Sequence, residues 1–70
     1  MANLSSIVEG EVVELLPGLG LAHVQTTDGR LLGITCETPG VVFELLRPGQ
    51  RLRCRVTDRL HRVLHADVLA

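Results

Sequence analysis

The chain has almost no aromatic side chains: Phe43 is the only phenylalanine, and there is no tryptophan and no tyrosine. A function that depends on a row of stacking rings starts with little to work with. Lysine is absent as well, and all seven basic residues are arginine. The positive charge is therefore carried by planar forks suited to phosphate or carboxylate rather than by flexible point charges. The two cysteines, Cys36 and Cys54, lie 18 residues apart and neither has a partner two residues away. That spacing excludes the common zinc motifs, and no metal or cofactor is expected. Nowhere do 18 apolar residues follow one another, and the opening Met-Ala-Asn-Leu-Ser-Ser has neither the basic region nor the apolar stretch of a signal peptide. The expectation is a cytoplasmic protein with reduced thiols and no membrane partner.

What is present is enough to fold. In 70 residues, 46% are hydrophobic and 21% charged, which supports one core and one domain over residues 1–70. A barrel of this size has little room for a water-excluding pocket. The chain also shows no glycine-rich phosphate loop, no nucleophile elbow and no histidine–carboxylate pair at strand ends, so catalysis is not expected.

The net charge of −1 conceals two opposite halves. Up to residue 46, six carboxylates (Glu9, Glu11, Glu14, Asp28, Glu37, Glu44) face Arg30 alone, a balance of −5. From residue 47, six arginines (Arg47, Arg51, Arg53, Arg55, Arg59, Arg62) face Asp58 and Asp67, a balance of +4. Such asymmetry reads either as a footprint for nucleic acid or as two faces that neutralise each other on folding.

Side-chain alternation predicts five strands. From Ile7 to Leu16, Val8, Gly10 and Val12 share one parity and Glu9 and Glu11 the other; the alternation fails near Val13, which predicts a bulge there. Pro17-Gly18-Leu19-Gly20 breaks the chain before a second strand, Leu21 to Thr26. Thr27-Asp28-Gly29 is a hairpin signal, followed by a third strand from Arg30 to Thr35. Between residues 36 and 50, Thr38-Pro39 is expected to cap a short helix over the cluster Val41, Val42, Phe43, Leu45 and Leu46, with Pro48-Gly49 as the closing turn. Arg51, Arg53 and Arg55 then alternate with Leu52, Cys54 and Val56, placing the guanidiniums outside and the apolar groups inside. Asp58 to His61 form a turn, and Val63 to Leu69 form the last strand, with Leu64, Ala66 and Val68 inward. The fold class expected is all-β: a five-stranded Greek-key OB-fold barrel with a short helical turn between the third and fourth strands. An SH3-like barrel is the competing architecture.

Several segments in order resemble the cold-shock domain, a family of single-stranded nucleic-acid-binding OB-folds. Glu9-Gly10-Glu11-Val12 resembles its opening strand, and Gly20-Leu21-Ala22-His23-Val24 sits where the family has its first ring-bearing motif. Phe43-Glu44-Leu45-Leu46-Arg47-Pro48-Gly49-Gln50 fits the family's Phe, Leu and Gly-Gln spacing, and Ala66-Asp67-Val68 resembles its close. The family's tryptophan corresponds to Glu14, its first motif phenylalanine to Leu21, and its third-strand rings to Leu32, Ile34 and Thr35. Gly10 to Pro17 also resembles the small one-domain bacterial translation initiation factor, which binds structured ribosomal RNA.

The cold-shock resemblance implies binding of single-stranded RNA or, less readily, DNA, and the loss of most of the family's stacking rings makes the expected binding weak and largely sequence-independent. Arg51, Arg53, Arg55 and Arg30 would hold phosphates, while His23 and Phe43 would serve as the remaining base platforms. Alternate strand residues repeat at about 6.8 Å, close to the phosphate spacing of an extended single strand. Each residue also has a plainer reading. The arginines can pair with Glu9 and Glu11 across neighbouring strands, His23 can be an ordinary surface residue, and Phe43 can be a lid on the barrel end. Cys36 and Cys54 read as small buried or half-buried groups. His61 and His65 lack the further ligands a metal needs. The rival function is a protein-interaction or self-association module, its surface an aliphatic patch of Leu21, Leu32 and Ile34.

Overall fold

The computed structural model describes residues 5–57 and 62–69. The turn expected at 58–61, with Asp58, Arg59 and His61, lies outside the described residues. The described chain is an all-β structure of five strands: β1 (Ser5–Leu16), β2 (Leu21–Thr26), β3 (Leu31–Thr35), β4 (Arg51–Thr57) and β5 (Val63–Val68). All pairings are antiparallel, and the sheet order is β3-β2-β1-β4-β5. Among the described residues no helix is long and apolar enough to cross a membrane.

The sheet curls because β1 belongs to both of its halves. Ser5 to Glu11 pair with β4, whereas Gly10 to Leu16 pair with β2, and only Gly10 and Glu11 have partners on both sides. The strand must bend where it passes from one half to the other. Gly10 sits there, buried, and a Cβ at this position would stand 2.7 Å from the Gln25 carbonyl oxygen and from Val24 Cγ1. A residue with a side chain would hold β1 and β2 apart. The pairing with β2 then shifts register between Val12 and Glu14, the bulge that the broken alternation at Val13 predicts.

The core takes residues from every strand: Val12, Ala22, Val24, Leu32, Ile34, Leu52, Cys54, Val56 and Ala66, joined by Leu46 from the long connection. Fully burying an aliphatic side chain of this kind contributes roughly 1.5–3 kcal/mol, so this cluster is the main source of stability. β4 is the cleanest case, with Leu52, Cys54 and Val56 buried and Arg51, Arg53 and Arg55 exposed.

Three local expectations need correction. The connection does contain a helical turn, but it is a 3-10 helix at Phe43–Leu45 preceded by Val42, not one capped by Thr38-Pro39. Thr38 instead closes the end of β3: its hydroxyl accepts from Thr35 N–H at 3.0 Å and its own N–H donates to the Thr35 carbonyl at 3.1 Å. In β5 only Ala66 of the predicted inward set is buried; Leu64 is 42% and Val68 47% exposed. For Leu64 the cause is a register shift against β4 between Arg55 and Val56, which sets Val63, not Leu64, opposite Val56; Val68 keeps its register opposite Leu52 and lines an open groove. Finally, Cys36 is exposed, and Cys54 alone of the two thiols is buried.

Pro39 and Gly40 bring the long connection across the edge of β5. The Pro39 carbonyl accepts from Ala66 N–H at 3.0 Å, and Gly40 adopts φ +95° with the Ala66 carbonyl and the His65 ring packed where a Cβ would stand. Gly49 turns the chain into β4, with Gln50 N–H donating to the Arg47 carbonyl at 3.2 Å.

Candidate nucleic-acid interface

The guanidinium row lies on the outer face of the central strands. Antiparallel pairing sets Glu11 across from Arg51, Glu9 from Arg53 and Ile7 from Arg55 on one side, with Asp67 across from Arg53 and His65 from Arg55 on the other. Directly opposite residues share a face, so these groups form one surface. Glu9 is its centre. One carboxylate oxygen accepts from Arg51 Nη2 at 3.1 Å, and the other lies 4.0 Å from Arg53 Nη2. A single acid thereby holds two of the three guanidiniums expected to meet phosphate. Arg55 differs: among the described residues it forms no ion pair. Glu11 likewise forms none, although it stands opposite Arg51.

His23 projects from β2 on the outer face, with its side chain 26% exposed. Its Nδ1 lies 2.9 Å from Glu14 Oε1. An ionised carboxylate only accepts, so Nδ1 carries the proton in this pair. The bulge makes the contact possible, because the register shift after Val12 sets Glu14 rather than Val13 opposite His23. Glu14 thus takes up the one imidazole expected to stack on a base.

Arg30 follows the β2–β3 turn, away from the row. Gly29 N–H donates to the Thr26 carbonyl at 3.0 Å and Thr26 N–H to the Arg30 carbonyl at 2.8 Å, which confirms the Asp-Gly hairpin. Arg30 Nε contacts both Asp28 oxygens, at 3.2 and 3.0 Å. The buried Thr26 hydroxyl bonds to Asp28 and accepts from Arg30 N–H at 2.9 Å. The Thr26 hydroxyl first, and then the Arg30 guanidinium, hold the Asp28 carboxyl below the usual aspartate range. Arg30 therefore works inside its own turn.

Phe43 belongs to the 3-10 helix, half-buried, and packs against the core beside Val41. It is not on the strands that carry the outer-face row. The aliphatic patch expected for a protein partner is corrected: Leu32 and Ile34 are 1% and 0% exposed and belong to the core, which leaves Leu21 half-buried. The apolar surface lies elsewhere. A groove of about 430 Å³ runs beside the 3-10 helix, and Val42, Leu45 and Val68 line it while 58%, 65% and 47% exposed.

Burial pushes the Cys54 thiol up to about 11, with the Asp67 charge adding to the shift, so the thiolate is suppressed at neutral pH. No cluster of three or more metal-ligating side chains occurs among the described residues.

The expected site residues therefore divide into separate local arrangements. Arg51, Arg53 and Arg55 share one face, His23 sits by the bulge, Arg30 is in a hairpin and Phe43 packs on the core from the 3-10 helix. Sequence reasoning weighed Glu9 and Glu11 as partners but missed Glu14 and Asp28. The signals were present: the parity break at Val13 for Glu14, and Thr-x-Asp-Gly-Arg around the turn for Asp28. Comparison with known protein families, with curated proteins and with solved structures finds no match for the chain.

Proposed function

We propose that the chain is a Greek-key OB barrel of cold-shock type that works as a protein-interaction module, with single-stranded nucleic acid at most a weak ligand. The strand order, with β3 and β5 at the two ends of a curled sheet, supports the barrel. One observation carries the functional reading: the Glu9 carboxylate spans Arg51 and Arg53. Exposed pairs of this kind contribute only about 0.2–1 kcal/mol, so a phosphate can displace either one. The face nevertheless stays neutral, because Arg51, Arg53 and Arg55 are balanced by Glu9, Glu11 and Asp67. A neutral face gives little steering toward a polyanion. A mixed-charge, arginine-rich face and an open apolar groove suit a protein partner better.

The reading is tested by NMR titration with oligo-pyrimidine RNA at about 50 and 200 mM salt. The expected result is millimolar binding that fades at the higher salt; micromolar affinity at the higher salt overturns the proposal. Sedimentation over a range of concentrations tells a second copy from a different protein as the partner. Arg55 sustains a second reading, weak sequence-independent binding of single-stranded RNA, since it forms no ion pair among the described residues. In that reading Arg55 anchors a phosphate while Glu9 holds Arg51 and Arg53.

A further inference from the structure

We infer that the outer edge of β3, at the seam facing β5, receives an extended peptide segment as an added strand. This rests on the reading of the chain as a protein-interaction module and names the chemistry of its partner.

In an antiparallel pair, successive residues alternately turn their N–H and C=O groups toward the neighbouring strand and away from it. Thr26 N–H donates to the Arg30 carbonyl at 2.8 Å, so, counting by twos, Leu32 and Ile34 face β2. Leu31, Gly33 and Thr35 then face away. Thr35 agrees with this phase, because its outward N–H and carbonyl are the groups bonded to Thr38. Leu31 and Gly33 have no backbone partner of that kind among the described residues.

The two end strands are not alike. An exposed strand edge invites pairing, and natural proteins blunt it with charge, proline, bulges or a covering loop. β5 has three such devices: Asp67, the irregularity at Leu64, and the Pro39 carbonyl bonded to Ala66 N–H. β3 reads Leu-Leu-Gly-Ile-Thr, with no charge, no proline and no bulge in its pairing with β2. Where the ends of the sheet approach, a cleft of about 400 Å³ opens between Gly33, Thr35 and Glu37 on one wall and Arg62, Val63 and Leu64 on the other.

A bare ladder of donors and acceptors is matched by another peptide backbone, as in strand addition. Gly33 presents no side chain on the outer face, which permits close approach. Glu37 and Arg62 are exposed on opposite walls, and neither forms an ion pair among the described residues. The segment that fits is extended, apolar or β-branched in its middle, with a cation near Glu37 and a carboxylate near Arg62.

The test is amide hydrogen exchange of the full chain with a synthetic peptide of alternating valine and threonine, about seven residues long, lysine at one end and glutamate at the other. With millimolar peptide, exchange at Leu31 and Gly33 is expected to slow about tenfold or more. Gly33→Pro removes the outward N–H while leaving the β2 ladder intact, and abolishes the protection at Leu31. Leu31→Lys, at a position already 58% exposed, weakens it and guards against a folding defect in the first variant. Unchanged exchange at both amides overturns the inference. Shifts confined to Val42, Leu45 and Val68 also overturn it while leaving the interaction module standing. Protection that grows with protein concentration and needs no peptide assigns the edge to a second copy and overturns the peptide. Micromolar RNA affinity in the titration above defeats the underlying reading without touching the edge result.

Discussion

Replacing Glu9 by glutamine isolates the single contact on which the functional reading turns. The carboxylate is 41% exposed and its two guanidinium partners 61% and 54%, so water screens both pairs. The loss of stability is about 1 kcal/mol or less, a fall in Tm of no more than about 8 °C for a domain of this size. The effect on anion binding is larger. Removing one negative charge takes the face from neutral to +1 and frees Arg51 and Arg53 to join Arg55. Each phosphate neutralised on a single strand contributes a slope of about −0.7 to log K against log salt. The wild-type chain, with Arg55 alone, has a slope near −0.7, and Glu9→Gln, with three arginines, a slope near −2. Between about 50 and 200 mM salt the wild type then loses about threefold in affinity and the variant about twentyfold. Fluorescence anisotropy with a labelled oligo-pyrimidine measures both slopes. If the variant and the wild type have the same slope, Glu9 does not mask the row and the argument fails.

Three further outcomes follow from the packing. Gly40→Ala destabilises the fold by about 1–3 kcal/mol or more and lowers Tm, because its φ is +95° and a Cβ would stand 2.1 Å from the Ala66 carbonyl; a thermal melt unchanged from wild type contradicts the crossing of β5 by the long connection. Thr26→Val keeps the shape but removes the hydroxyl from Asp28 and from Arg30 N–H, costing about 1–3 kcal/mol. The Asp28 carboxyl then titrates closer to the ordinary aspartate value. In the wild type its depressed value favours the fold above the unfolded-state value of 3.8, and that contribution is lost as pH falls through the lower folded value; the variant loses part of this acid dependence, as carboxyl-detected NMR with chemical denaturation reads. Cys54 acts at the alkaline end. Its thiol ionises near 9.0 when unfolded and about 11 when folded, so stability is full below pH 9 and declines by about 2–3 kcal/mol as pH rises to 11. Denaturation midpoints between those values show the decline, and Cys54→Ala removes it. Thiol reagents label Cys36 in the folded protein and Cys54 only on unfolding.

Local chemistry in the sequence was enough to place the strands, the Asp-Gly hairpin and the bulge at Val13. Residues two apart in a strand necessarily share a face, so Leu52, Cys54 and Val56 declare themselves against Arg51, Arg53 and Arg55 without reference to anything distant. Leu64 was misread by the same rule, because one shift in the β4–β5 register moves it out of its expected place and the neighbouring strand decides where that shift falls. The short apolar stretch of β3 was ambiguous for a related reason. Leu32 and Ile34 alternate as cleanly as surface residues of a platform, and it is pairing across from the buried Val24 and Ala22 that puts them inside. Tertiary structure alone decided the electrostatics. Glu9 and Arg51 are 42 residues apart and Glu14 and His23 nine, so whether a charge meets solvent or a carboxylate depends on which strands become neighbours and in what register. Charge acts through space and side-chain alternation along the chain, which is why the sequence showed where the arginines point and the fold showed what they meet.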